Sequence, residues 1–172
     1  MMVNMKLFSH RIGLFLIFGL LCFSCQNSDE KTDDQGVERF ERSDAAILKG
    51  VYVPSNADMF FTSGLVAPIK DADAASGSNQ QYGTTYEQSI GALNKVKETL
   101  DLKGFSLENI VFLRVYLAPD SSGVIDFKSF FSAYDNYFKR YPNVPQIARA
   151  TIGVHSLARA GLLVEVEAVA AK

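Results

Sequence analysis

Ile147-Ala148-Arg149-Ala150-Thr151-Ile152-Gly153-Val154 and Leu162-Leu163-Val164-Glu165-Val166-Glu167-Ala168-Val169-Ala170 decide the fold. Both runs are apolar, β-prone and interrupted at every second position by a charge or a small residue, which is the period of a strand. In the first run the period groups Ile147, Arg149, Thr151 and Gly153 on one face. In the second it groups Leu163, Glu165, Glu167 and Val169. An arginine on a half-apolar strand needs a partner, because a buried unpaired guanidinium is costly. Glu165 or Glu167 is the candidate. A simple hairpin about Ser156–Gly161 would set Arg149 opposite Ala168 instead. Local pairing therefore does not join Arg149 to Glu165, and a different sheet order or a second subunit would have to. The plain alternative is a structural ion pair at a sheet edge.

Working back along the chain, Ile110–Leu117 alternates strictly, with Val111, Leu113, Val115 and Leu117 on one side and Phe112, Arg114 and Tyr116 on the other. Thr84 and Glu87 form a capping box. Behind them Tyr86, Ile90, Leu93, Val96 and Leu100 recur at helical spacing and predict a helix that stops near Gly104. Asp126 caps a second helix with Phe127, Phe130, Phe131, Tyr134, Phe138 and Tyr141 as its apolar stripe, ending before Pro142. Ala46–Val53 and Met59–Ser63 read as two more strands, and Asp71–Gly83 as a surface loop. The order is β-β-α-β-α-β-β. Each helix has a single apolar stripe and needs a sheet to cover, so the expected fold is an α+β sandwich with both helices on one face.

The 172 residues carry 17 Lys+Arg against 19 Asp+Glu, and this balance argues against a nucleic-acid partner. Cys22 and Cys25 are the only cysteines, and after them His155 is the only histidine. That leaves the domain without a cysteine nucleophile, an internal disulfide, a thiolate zinc site or a multi-histidine metal site. His155 follows a strand and precedes a turn. It has the chemistry of a general base, but no nucleophile motif points at it.

The N-terminus reads as an address. Lys6 and Arg11 precede the apolar run Ile12–Phe23, which is short for a membrane span of about 20 residues and suits a signal peptide. Leu20-Leu21-Cys22-Phe23-Ser24-Cys25 resembles a bacterial lipoprotein signal, with Cys25 as the lipidated residue. Residues 1–24 are then a lipoprotein-type signal peptide, 25–43 a disordered tether and 44–172 the domain. Cleavage removes Lys6 and Arg11, leaving 15 basic residues against 19 acidic. The expected location is the bacterial cell envelope, on the periplasmic or outer-membrane surface. Contact with the membrane would run only through the lipid on Cys25.

Residues 59–170 resemble the YjgF/RidA family of reactive-intermediate imine deaminases. The resemblance is carried by Phe61-Thr62-Ser63-Gly64, by the Tyr86–Leu100 helix, by Phe105–Val111, and by Asp126-Phe127 through Phe138. Its strongest parts are Ala148–Val154 and Leu163–Ala170. It implies a chorismate-mutase-like fold, a homotrimer joined through its sheets, and sites between subunits. It also implies cofactor-free hydrolysis of enamines and imines such as 2-aminoacrylate to a keto acid and ammonia. By position, Arg149 matches the arginine that holds the substrate carboxylate, and Glu165 the glutamate that positions or activates water. Ser63, Gly64 and Thr151 match pocket-lining residues. Two positions depart from the pattern: Tyr52 is the substitute for a pocket tyrosine, and Phe131 stands where the family presents an asparagine. Altered specificity follows. The alternatives are a non-catalytic module binding a small carboxylate at the cell surface and, more weakly, an endoribonuclease-like activity.

Overall fold

The computed structural model describes residues 36–40 and 47–172. The signal segment, Cys25 and most of the expected tether lie outside them. All seven expected elements form. They are β2 (Gly50–Tyr52), β3 (Met59–Phe61), α2 (Thr85–Asp101), β5 (Ile110–Leu117), α3 (Phe127–Phe138), β6 (Ala148–Gly153) and β7 (Val164–Ala171). Four further short pieces form as well: β1 (Glu38–Phe40), β4 (Leu65–Val66), a 3-10 turn (Leu107–Asn109) and α1 (Asn79–Tyr82). The last lies inside the stretch read as a loop.

The sheet runs β3-β7-β5-β6, with β4 also on β7. β5 lies parallel to β6 and antiparallel to β7. The last two strands are thus separated by β5 and do not form a hairpin. Arg149 and Ala168 still share a row, because both stand opposite Leu113. Helices α2 and α3 cover the face that carries Leu113, Val115, Leu117, Val164, Val166 and Ala168, all buried. The sheet is mixed and the class is α+β, as the periodicities require.

The local signals hold at the helix starts. Glu87 N–H donates to Thr84 Oγ1 at 3.3 Å while Thr84 N–H donates to Glu87 Oε2 at 2.9 Å, closing the capping box of α2. Ser129 N–H donates to Asp126 Oδ1 at 2.9 Å at the start of α3. The stripe of α3 is rotated from the expected one. Phe130, Ala133 and Tyr137 are its buried residues, whereas Phe127 and Phe131 face outward. Counting aromatics overestimates the stripe, since six aromatics spread over more than one helix face and the sheet can take only one.

Glu38–Phe40 fall within the stretch read as a tether, yet they pair antiparallel with β2. Arg39 donates through Nη1 to the Gln146 carbonyl at 2.8 Å and through Nη2 to the Ile110 carbonyl at 3.0 Å. A guanidinium that caps free carbonyls at the ends of β5 and β6 needs no apolar neighbours. A reading based on apolar content does not detect such an attachment.

Candidate active site

The two faces of the sheet hold different parts of the expected site. Arg149 lies in the row of Leu113 and Ala168, on the helix-covered face. Glu165 lies in the row of Tyr116 and Ile152, on the open face. Directly opposed strand residues point the same way, so within one chain Arg149 and Glu165 point to opposite sides. Within one chain Arg149 therefore makes no ion pair with either glutamate. Glu167 is instead paired with Arg114 Nη1 at 2.8 Å and accepts from the Tyr116 hydroxyl at 3.4 Å. Glu165 has no such cationic partner among the described residues.

Arg149 sits on the edge strand β6 beneath α3, in an aromatic cradle. Its Cζ lies 4.1 Å from the ring centroid of Tyr134, 5.3 Å from that of Phe131 and 5.5 Å from that of Phe130. Ring faces attract the cation, but they accept no in-plane hydrogen bond. Among the described residues, Nη1 is buried without a hydrogen-bond partner. Burial holds the guanidinium's pKa below its ordinary value, partly offset by Tyr134 and Asp135. Burial likewise raises the Tyr134 pKa, against the pull of Arg149. A planar cation with an unused donor is suited to a carboxylate, which would supply both the charge and the acceptor. Thr151 stands two positions along the same face and is half-buried.

On the open face, Ser63, Gly64 and Glu165 come together through a bulge. The register with β7 shifts by one residue between Phe61↔Val169 and Leu65↔Val166. Thr62 holds the bulge from both ends: its N–H donates to the Ala168 carbonyl at 2.9 Å, and its Oγ1 accepts from the Ala168 N–H at 2.9 Å. Ser63 is exposed as a result. Glu165 lies across Gly64: a Cβ built there would stand 1.7 Å from Glu165 Oε1. Any side chain at position 64 would evict the carboxylate, and this is the physical reason for glycine there.

Tyr52 lies on the β1–β2 ribbon, 49% exposed, and makes no hydrogen bond to Arg149, Glu165 or Ser63 among the described residues. His155 is an exposed turn residue in a surface depression shared with Ser156 and Arg159. No group of three or more His, Cys, Asp or Glu among the described residues is arranged to hold a metal.

Sequence reasoning missed three supporting residues. Thr62 forms the bulge. Gly153 admits α3, since a Cβ there would meet Phe127 Cζ at 3.4 Å and Ile125 Cδ1 at 2.9 Å. Gln88 is fully buried. It donates to the carbonyls of Gly83 at 3.0 Å and Gly161 at 2.9 Å, and accepts from Leu163 N–H at 2.8 Å. It thereby fixes the turn that feeds β7. The only signal was a polar residue two before Ile90 in the helical stripe, which is weak.

The family model described as Endoribonuclease L-PSP matches residues 48–172. The chain belongs to this family, the YjgF/RidA/RutC group. A RutC family protein of Saccharolobus solfataricus is 29% identical over 115 residues, 67% of this chain and 80% of that protein. Among solved structures, a Rid family protein of unknown function from Yersinia pestis aligns with a TM-score of 0.59 at 21% identity, covering 80% of this chain and all of that one. The YjgF gene product of E. coli aligns at 0.53 and 23% identity, over 78% of this chain and 98% of that one. E. coli TdcF with bound serine aligns at 0.53 and 21% identity, over 80% and 98%. The YjgF/RidA fold, a chorismate-mutase-like α+β sandwich, is therefore the fold of this chain.

Proposed function

We propose that this YjgF/RidA member hydrolyses enamine and imine forms of 2-amino acids to the keto acid and ammonia. The observation that carries the reading is the buried Nη1 of Arg149, a donor without an acceptor among the described residues, beside a half-buried Thr151. In this reading Arg149 holds the substrate carboxylate. The enamine tautomerises to the imine, its β-carbon gaining a proton as its nitrogen gives one up. Water, oriented by Glu165, adds its oxygen to the imine carbon while one of its protons passes through Glu165 to the nitrogen; the carbinolamine then loses ammonia as its hydroxyl proton passes to the departing nitrogen, which leaves the carbonyl. Glu165 serves because no cation among the described residues is paired with it. Because the two side chains point to opposite faces of one sheet, the reaction needs Arg149 of one subunit beside Glu165 of another. The open face has the character of such an interface: Phe61 is 65% exposed and Ile152 41% exposed there. A homotrimer is part of the proposal.

Imines generated in situ by an amino-acid oxidase test it. Ammonia release above the buffer rate is expected, falling on the order of 100-fold or more in Arg149→Ala, the loss of a charge-assisted carboxylate contact. Equal rates for wild type and variant would overturn the reading, and light scattering showing a monomer would remove its shared site. Thermal stabilisation by keto acids without turnover would favour the carboxylate-binding module. RNA cleavage is the weaker alternative, because the net charge of −2 offers little to phosphates. We further propose export with a lipid on Cys25; incorporation of a labelled fatty acid, lost in Cys25→Ala, is the expected result.

A further inference from the structure

Two aromatic rings of α3 are left outside the core. Phe131 is 41% exposed and Phe127 37% exposed. A single exposed phenylalanine needs no explanation, but this pair is placed against the Arg149 face of β6. The Phe131 centroid is 5.3 Å from Arg149 Cζ, and the Phe127 centroid is 6.3 Å from that of Phe131. Phe127 Cζ approaches to 3.4 Å from the Cβ position that Gly153 leaves empty. The two rings, one helical turn apart, therefore form an apolar strip along Arg149, Thr151 and Gly153. One end of the strip holds a cation with an unused buried donor. The other end is formed by the side chains of Phe127 and Ile125 over Gly153.

A substrate of matching pattern has a carboxylate at one end and a large apolar group at the other. We infer that the site selects 2-imino acids with bulky apolar side chains, aromatic ones above all, and that Phe131 is the specificity-determining residue. The inference rests on the proposed imine hydrolysis with Arg149 as carboxylate anchor. A carboxylate held on Arg149 sets the substrate side chain beside Phe131, and a phenyl group continues toward Phe127. The methyl group of a small imine covers neither ring. Offset or edge contact between aromatic rings adds to the apolar burial.

The experiment compares imines made in situ by D-amino-acid oxidase from D-phenylalanine and from D-alanine. In wild type, kcat/KM for the phenylalanine-derived imine is expected to exceed that for the alanine-derived one by about tenfold or more. In Phe131→Asn the ratio should collapse to within about threefold, and in Phe131→Leu, which keeps apolar bulk, most of the preference should remain. A wild-type ratio near one, or a ratio unchanged in Phe131→Asn, overturns the inference while leaving imine hydrolysis intact. If neither imine is turned over, the hydrolysis reading fails. The side-chain preference is then decided by thermal shift with phenylpyruvate against pyruvate. A larger shift with phenylpyruvate that Phe131→Asn removes supports the strip as a binding surface, and equal or absent shifts overturn it. Light scattering of Phe131→Asn is the last check: loss of the wild-type assembly would make the ring an interface residue and overturn the inference.

Discussion

Arg149 and Arg114 sit in adjacent rows on opposite faces of one sheet and are treated in opposite ways. Arg114, on the open face, has a carboxylate at 2.8 Å and a tyrosine nearby, and the contact with Glu167 raises its pKa. Arg149, beneath α3, has three aromatic rings and an unpaired buried nitrogen, and burial lowers its pKa. The surface arginine is the satisfied one. Stability alone favours the reverse, since burying an unpaired donor costs more than leaving it in water. Arg149 is a position at which the fold accepts a cost, and such positions gather at functional sites.

The contrast can be broken at several points. The largest effect concerns neighbours on α3. Phe130→Ala removes a fully buried ring and should cost about 3–5 kcal/mol, whereas Phe131→Ala should change stability by less than about 0.5 kcal/mol. Urea unfolding of both variants checks that only one of the adjacent rings belongs to the core. Next is the open face: Glu165→Gln should lower kcat about 100-fold at unchanged folding stability, measured by the same imine assay. Smaller, but opposite in sign to most core changes, is Arg149→Met. Replacing the unpaired guanidinium by an apolar chain of similar length should raise stability by about 1 kcal/mol while activity is lost. A fall in stability would mean that the aromatic cradle satisfies the cation by itself. The smallest effect belongs to Glu167→Gln, where both partners of the ion pair are partly exposed. The loss should stay below about 1 kcal/mol, with the deamination rate within about twofold of wild type.

Much of this site could be read from residues in order. The alternation through Glu165 and Glu167 put both carboxylates on one face, and they are on one face. The pattern at Arg149 put Thr151 beside it, and it is there. What alternation cannot reveal is which of two glutamates is neutralised, because that depends on Arg114 and Tyr116 of a strand about fifty residues away. Nor can it reveal that Arg149 and the two glutamates point to opposite faces of one chain's sheet, which the register through β5 decides. Tyr52 shows the limit from the other side: a tyrosine at a plausible position in the chain lies on a separate ribbon.

The elements follow from residue order alone, since period 2 and period 3.6 are local properties of the chain. Capping at Thr84 and Asp126 also needs only residues three apart. The family could be read from the ordered set of short motifs. What lies opposite what is fixed by the packing of the folded chain. That packing set Arg149 under Tyr134, left Phe131 outside the core, and laid Glu165 across Gly64, where a Cβ would stand 1.7 Å from the carboxylate oxygen. These are contacts between residues far apart in sequence, and they depend on strand order and a one-residue bulge. A shift of one residue in a strand moves a side chain to the other face, so the site's chemistry is settled by register, which no local pattern contains.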